Sequence, residues 1–487
     1  MRERLRPADV TFLGEETSRA PLHNATLEVF DPGERSFEYE DLLALIGERI
    51  DFVPRYRQRI RTVPGRLGMP VWVDEDDFDL RYHVRRSALP RPGSMDQLRE
   101  LVARIMSRRL DFQRPLWELY FVEGLEGGRV ALLSKSHQVL VDGVSTVDLG
   151  QVLLDVDPTP RHVPYDHWEP SGEPSTSGLL LDTVRESVQH PSRVFSTVRV
   201  NTDSAVRAGR GAFGALGQVA AAVANRKPHP ETPLDAELCE QRRVVTVRTT
   251  FEDHRKVRRV HGGTVNDVIL ATVTGALRSW LMTRAESVGA GRALRALVPM
   301  SVIDDDREPT SLGSQVAGHL LDLPIGESSP VVRLHQVSYA FKAHKETGRA
   351  VAADTLADVA GFAPTTFHAL GSRVAAEHQR KHFDLVITNV PGPQFPLYAA
   401  GARMVESYPI PPLLPGRALA IGVTSYDGYV HYGINADRDA LPDVEVLGQC
   451  LTESLEELVD SASDARPRAP RGRTRASNPR ARGRSGA

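Results

Sequence analysis

Ser134-Lys-Ser-His-Gln-Val-Leu-Val-Asp-Gly143 follows the apolar run Val130-Ala-Leu-Leu133, which predicts a buried strand. His137 and Gln138 stand where that strand ends, and Asp142-Gly143 begins four residues after Gln138. Asp-Gly favours a turn, because glycine tolerates positive φ and aspartate can hydrogen-bond its own turn backbone. Polar groups just past the end of a buried strand often carry ligand chemistry, so this stretch is the candidate site.

The same stretch resembles the His-His-x-x-x-Asp-Gly motif of CoA-dependent acyltransferases, and more closely that of the bacterial wax ester synthase/diacylglycerol acyltransferase family. In that family the second histidine is the general base and the aspartate is structural. Here Gln138 occupies the place of the second histidine, whereas His137, Asp142 and Gly143 match. The resemblance implies that His137, Gln138 and Asp142 form the catalytic motif, and that Asp142 makes a buried ion pair with an arginine.

The resemblance covers about residues 1–460, because further family motifs follow in the expected order and spacing. The N-terminal half contains Val53-Pro-Arg-Tyr-Arg-Gln-Arg59, Arg114-Pro-Leu-Trp-Glu118 and Val141-Asp-Gly-Val-Ser145. The C-terminal half contains the candidate motif residues Asn266, Asp267, Asn389, Pro391 and Gly392, with Ser425-Tyr-Asp-Gly428 after them. Ala420-Ile-Gly422 departs from the pattern, since the family usually has Asn-Ile-Thr there.

The resemblance implies an α/β (α+β) fold of two chloramphenicol-acetyltransferase-like domains. Each would be a mixed sheet with flanking helices, and a channel would run between them. The expected divisions are an N-terminal acyltransferase domain at 1–157, a linker and crossover segment at 158–241, a C-terminal acyltransferase domain at 242–462 and a disordered arginine-rich tail at 463–487.

Periodicity places the motifs on particular elements. Apolar residues at helical spacing predict helices over residues 95–110 and 264–280. Alternating residues around Asp427-Gly428 predict a hairpin of residues 419–423 and 429–435. Residues 78–85 are expected to be extended.

Composition and charge bound the cellular setting. Two cysteines without metal-ligand spacing indicate neither a disulfide framework nor a zinc site, so a cytoplasmic protein is expected. No signal peptide or membrane-spanning segment is expected either. Residues 465–487 contain eight arginines and no acid, so of the net charge of −3 the remaining residues 1–464 carry −11.

The basic tail is the one feature that suggests a surface partner. It has no large apolar residue with which to offset its ordering entropy, so disorder is expected. Its charge would suit peripheral contact with an anionic membrane or a lipid droplet. Nucleic acid is not expected as a partner, because no aromatic side chain is present to stack on bases.

Acyl transfer from a thioester to an alcohol needs a base, an oxyanion donor and a site that excludes water. Glutamine cannot act as a base near neutral pH, although its amide can accept from a hydroxyl and donate to a carbonyl. Acyl-CoA is expected as a substrate, diacylglycerol or a long-chain alcohol as the acceptor, and neither a cofactor nor a metal is predicted. His137 is either a replacement base or a histidine bonded within the structure.

Three hypotheses follow. The first is an O-acyltransferase that makes triacylglycerol or wax ester from acyl-CoA, and the complete set of scaffold motifs favours it. The second is a catalytically weakened or inactive relative that binds acyl-CoA or lipid, which Gln138, Ala420 and Gly422 favour. The third is a peptide-synthetase condensation domain, which shares the motif type but is disfavoured because no carrier-protein segment accompanies it.

Overall fold

Two six-stranded sheets organise the computed structural model, which describes residues 3–34, 36–66, 68–140, 149–161, 168–172, 232–301, 316–346, 383–464 and positions 175, 177, 178 and 368. Asp142 and Gly143 lie outside these residues, as do the arginine-rich tail and most of the predicted linker. Within them, no helix is long and apolar enough to cross a membrane.

The first sheet has the strand order β11-β12-β1-β6-β5-β4. Strands β4 and β5 are parallel, and the other neighbours are antiparallel, so the sheet is mixed. A separate two-stranded ribbon pairs β2 with β3. The strands are β1 His23–Asp31, β2 Gln58–Arg61, β3 Val71–Asp74, β4 Val84–Ala88, β5 Trp117–Glu123, β6 Val130–His137, β11 Tyr398–Ala399 and β12 Ala402–Ile410.

The second sheet has the order β7-β14-β13-β10-β8-β9 and is also mixed. Its parallel neighbours are β10 with β13 and β10 with β8. The predicted hairpin is present as β13 and β14, with Asp427 and Gly428 at positive φ in its turn. The strands are β7 Arg242–Thr250, β8 Leu294–Ser301, β9 Val316–Leu323, β10 Leu385–Pro391, β13 Leu419–Tyr426 and β14 Tyr429–Asp437.

Helices flank both sheets and bury one apolar side each. In the predicted helix at 95–110, Leu98, Val102 and Ile105 are buried, as the apolar spacing requires. The predicted helix at 264–280 begins after Thr264 and is buried along most of its length. The helices are α1 Pro7–Glu15, α2 Tyr39–Arg49, α3 Leu80–His83, α4 Met95–Met106, α5 Leu149–Leu153, α6 Phe251–His261, α7 Val265–Thr283, α8 Pro330–Glu346 and α9 Val444–Asp464.

The two sheets confirm the predicted fold class, but the chain does not divide between them at one point. Strands β11 and β12, inside the range 242–462 predicted as the C-terminal domain, complete the first sheet by pairing β12 with β1. Strand β12 also packs against β13 and β14 of the second sheet. It therefore joins the two halves of the molecule.

Strand β12 passes so close to the second sheet that the sheet has glycine residues at the point of contact. Gly422 and Gly433 are cross-strand partners on β13 and β14. A Cβ atom on Gly422 would lie 2.5 Å from the carbonyl oxygen of Pro409, and one on Gly433 would overlap the same oxygen. Backbone therefore meets backbone here, and no larger residue fits without moving β12.

One local prediction is wrong in part, since within its range only Val84 and Arg85 lie in a strand. Residues 78–85 were expected to be extended, but Leu80–His83 forms a helical turn. The Asp79 carboxylate caps it by accepting a hydrogen bond from the backbone N–H of Arg81 at 2.9 Å. Such a local side-chain cap competes with extended structure, and here it wins.

Candidate active site

His137 is the last residue of β6, and both of its ring nitrogens are bonded within the protein. The backbone N–H of Val139 donates to Nδ1 at 3.2 Å. Because Nδ1 accepts, the ring proton belongs on Nε2, which donates to the Glu16 carboxylate at 2.6 Å. His137 is 1% exposed, so no ring atom is left to face a substrate in this arrangement.

Glu16 holds this histidine and is itself held by Arg109. The Arg109 guanidinium donates to the second carboxylate oxygen of Glu16 at 2.9 Å. Burial on its own would raise the pKa of Glu16, but the interactions with His137 and Arg109 outweigh it and lower that pKa. The Phe112 ring packs edge-on against the His137 ring, with centroids 5.7 Å apart. His137 is therefore oriented from two sides.

Gln138 begins a 3₁₀ helix of one turn, Gln138–Leu140, which directly follows strand β6. Its backbone N–H donates to the carbonyl oxygen of Leu22 at 3.1 Å, which fixes the start of the turn. The side chain is fully buried, and neither Oε1 nor Nε2 has a hydrogen-bond partner among the described residues. A buried amide without partners costs about 1–3 kcal/mol, so this position calls for a polar ligand or water.

The turn lies where the two halves of the molecule meet. Val139 and Leu140 belong to the same apolar core as Leu297 of β8 and Val386 of β10, from the second sheet. The predicted buried ion pair of Asp142 lies outside what the structure describes, because Asp142 itself is not among the described residues. What the structure places here is therefore the His137–Gln138 part of the motif.

The C-terminal motifs meet at one end of α7. The side-chain oxygen of Asn266 accepts a hydrogen bond from the Asn389 amide at 2.7 Å, which ties α7 to β10. The Asp267 carboxylate accepts from the backbone of Thr264 at 2.8 Å and from the Ser338 hydroxyl at 3.0 Å. Asp267 thus caps α7 and links it to α8.

Strand β10 ends at the proline-glycine pair that the sequence singled out. Pro391 is the last residue of the strand, and the backbone N–H of Gly392 donates to the Ser425 hydroxyl at 3.3 Å. This contact joins the end of β10 to β13, its parallel neighbour. Both residues shape a loop, and neither joins a cluster of reactive side chains within the described ranges.

Within the departure at Ala420-Ile-Gly422, the glycine has a packing reason. All three residues lie on β13 and are buried. The close approach of Pro409 leaves no room for a threonine at position 422. The glycine therefore serves the crossing of β12 over the second sheet.

Sequence reasoning missed three residues that surround the motif. Glu16 and Arg109 orient His137, and His23 lies opposite His137 in the pairing of β1 with β6. Burial, with the nearby positive charge of Lys135, holds the pKa of His23 well below its usual value. No local signal marks Glu16, because it lies 121 residues from His137 in the chain.

No group of three or more metal-ligating side chains is present in the part of the chain that the structure describes.

The fold of this protein has counterparts among solved structures. The fold is shared with the first condensation domain of the calcium-dependent antibiotic synthetase (TM-score 0.55, 14% identity, 95% of this chain and 97% of that chain). A wax ester synthase/diacylglycerol acyltransferase from Marinobacter aquaeolei VT8 is more similar. Its TM-score is 0.65 at 26% identity, over 95% of this chain and 100% of that one.

Sequence comparison then gives the family. Residues 5–269 match the wax ester synthase/diacylglycerol acyltransferase catalytic domain, and residues 312–459 match the C-terminal domain of the same family. The probable diacylglycerol O-acyltransferase tgs2 of Mycobacterium tuberculosis H37Rv is 31% identical over 465 residues, 93% of this chain and 98% of that one. The probable tgs3 of the same strain is 39% identical over 262 residues, 52% of this chain and 95% of its own. The chain belongs to the wax ester synthase/diacylglycerol acyltransferase family, as its motifs predicted.

Proposed function

We propose that this protein transfers a fatty acyl group from acyl-CoA to an alcohol. The acceptor is diacylglycerol, which gives triacylglycerol, or a long-chain alcohol, which gives a wax ester. Family membership supports the reaction class, and the relatives named above are probable diacylglycerol O-acyltransferases. The observation that carries the proposal is the buried Gln138 amide at the motif turn, since no described residue hydrogen-bonds either of its polar atoms.

The reaction forms one bond and breaks another. The acceptor oxygen attacks the thioester carbonyl, a C–O bond forms, and the C–S bond breaks. Coenzyme A leaves as the thiol after taking up the proton that the hydroxyl gives up. The protein must therefore hold the two substrates together, stabilise the oxyanion of the tetrahedral intermediate and keep water away.

Gln138 suits two of these tasks. Its Oε1 can accept a hydrogen bond from the acceptor hydroxyl, and its Nε2–H can donate to the thioester oxygen as negative charge develops there. It cannot store the hydroxyl proton, and both nitrogens of His137 are already bonded to Glu16 and Val139. The rate then depends on positioning and oxyanion stabilisation. No described side chain at the turn supplies general base catalysis, which is worth about 10²–10⁴ in rate.

Acyl-CoA binding without turnover is the second candidate function. The observation that favours it is the same pair of contacts, because they leave no described side chain at the turn free to act as a base. The two candidates differ in one measurable way. A transferase forms ester product in proportion to enzyme and time, whereas a binding protein only retains acyl-CoA.

The experiment is an assay of purified full-length protein with radiolabelled palmitoyl-CoA and either diacylglycerol or hexadecanol. The transferase predicts slow ester formation that Gln138→Ala lowers, because the amide that positions the hydroxyl and the carbonyl is lost. Tyr429→Ala, at a half-exposed position in the β13–β14 hairpin, is the control and keeps the wild-type rate. Ester formation by Gln138→Ala at the full wild-type rate would exclude a role for the amide.

The acceptors of this reaction are dissolved in lipid, which bears on where the protein works. The tail at 465–487 supplies eight positive charges, whereas residues 1–464 are acidic. Peripheral attachment of the tail to an anionic membrane or lipid droplet would bring the acidic body close to its acceptor. We include in this proposal the cytoplasmic location that the sequence led us to expect.

A further inference from the structure

Strand β1 has polar side chains on the face that packs towards the second sheet. Phe30 marks this face, because it belongs to the core that also contains Leu297 of β8. By the strand period of two, Asn24, Thr26 and Glu28 lie on the same face, and all three are buried. The positions between them are apolar and belong to a different core. The inner face of a packed sheet is normally apolar, so polar side chains here indicate polar contacts in the interior.

The Asn24 amide is in the same condition as that of Gln138. Asn24 is 7% exposed, and neither Oδ1 nor Nδ2 has a hydrogen-bond partner among the described residues. The oxygen of such an amide accepts hydrogen bonds and its nitrogen donates two. Burying these atoms without partners costs free energy, so a group that bonds them from outside the described protein is expected at Asn24 as well as at Gln138.

Asn24 and Gln138 are neighbours across strands β1 and β6. Asn24 lies directly opposite Ser136 in the pairing of the two strands. The backbone N–H of Gln138 donates to the carbonyl oxygen of Leu22, so the same register continues one pair beyond the end of β6. Gln138 is therefore the diagonal neighbour of Asn24, at a separation of about 7–8 Å between Cα atoms. One ligand with two polar groups close together can bond both amides.

We propose that Asn24 makes the site selective for acceptor alcohols that carry an ester carbonyl close to the reacting hydroxyl. The inference rests on the proposed acyl transfer and names the residue that chooses between its two acceptors. Gln138 serves the hydroxyl and the thioester oxygen, which the reactions of both acceptors share. The Nδ2–H of Asn24 donates to the ester carbonyl of a diacylglycerol whose hydroxyl lies at Gln138. In diacylglycerol an ester begins on a carbon next to the one that bears the hydroxyl, so the two groups suit neighbouring amides.

A long-chain alcohol has no second polar group to offer. With its hydroxyl at Gln138, it would leave the Asn24 amide buried and unpaired. A site built to hydrogen-bond a polar group of its substrate rejects the analogue that lacks this group, because the buried partner is then left without a bond. Diacylglycerol is therefore the preferred acceptor, and triacylglycerol is the preferred product.

The test is calorimetric titration of full-length protein with dioctanoylglycerol and with its diether analogue dioctylglycerol. The diether keeps the hydroxyl and both chains but has no ester carbonyl. The wild type should bind the diester about tenfold or more tightly than the diether. Asn24→Leu, which is similar in size, and Asn24→Ala should each bind the two ligands equally. Ala25→Ser, at the adjacent position on the opposite face of β1, is the matched control and keeps the wild-type preference.

Competition between the two ligands as acceptors separates this inference from the proposed function. With palmitoyl-CoA and both ligands in one reaction, the wild type should acylate the diester about tenfold or more faster than the diether. Asn24→Leu should acylate the two at similar rates.

Two results would overturn the role of Asn24. One is equal binding of the diester and the diether by the wild type, or an unchanged preference in both Asn24 variants. The other is an equal fall in affinity for both ligands in the variants, because the amide would then bond a group that the ligands share. If neither ligand is acylated, the proposed function fails, while the titration still decides whether Asn24 recognises the ester.

Discussion

At position 138 an amide stands where the resemblance to the family implies a histidine base. Its burial without a hydrogen-bond partner among the described residues costs free energy that a hydrophobic residue of similar size would not cost. The neighbouring histidine does not replace it in this structure, because its two nitrogens are occupied by Glu16 and Val139. Among the described residues, the site can therefore bind and position its substrates but holds no free proton acceptor.

His137→Ala should lower the free energy of unfolding by about 2–4 kcal/mol. The change removes a charge-assisted hydrogen bond to buried Glu16 and leaves a cavity beside Phe112. Urea unfolding measures this, with His335→Ala on the exposed side of α8 as the control. Loss of ester formation with unchanged unfolding would contradict the account, because it would make His137 the base.

Strand β12 is the element that holds the two sheets together, and it depends on the glycines beneath it. Gly422→Thr should lower the free energy of unfolding by about 3 kcal/mol, since its Cβ atom would press on the backbone of Pro409. Gly47→Thr on α2, where nothing lies within 4 Å, is the matched control. A wild-type stability for Gly422→Thr would mean that the crossing is looser than the structure has it.

Elements with local signals were predictable from the sequence. Helix α7 has its N-cap, Thr264, and its regularly spaced apolar residues in one continuous stretch of sequence. The β13–β14 hairpin has its Asp427-Gly428 turn between its two strands. The return of β12 to the first sheet was not predictable, because strand pairing over such separations depends on tertiary packing. The Glu16–His137 contact was missed for the same reason, and it is the contact that decides the state of the motif histidine.

For the whole molecule, buried histidines set the response to acid. Burial lowers the pKa of His83 and His254 to about 4 and that of His368 and His431 to about 3. In the unfolded chain a histidine titrates near 6.5, so below that pH the unfolded state binds more protons. Stability is full above about pH 6.5 and falls as the pH drops towards 4, by up to about 1.4 kcal/mol per histidine and pH unit. Unfolding midpoints that stay constant between pH 7 and 5 would contradict this.

The basic residues 465–487 follow an acidic body, and this distribution of charge predicts that the protein attaches to membranes through its tail. Full-length protein should co-sediment with anionic vesicles at low salt and be released as salt rises, because each basic residue near the surface adds up to about 1 kcal/mol. A 1–464 truncation should stay in solution. Equal sedimentation of the two proteins would contradict the tail's role.

Acyl transfer by Gln138→His is the most direct test of the account as a whole. Restoring a base at the motif turn should raise the rate of ester formation from palmitoyl-CoA and diacylglycerol or hexadecanol by about 10²-fold or more over the wild type. Gln138→Asn, which keeps an amide, is the control and should give no gain. A histidine variant no faster than the wild type would contradict the claim that the missing base at position 138 limits this enzyme.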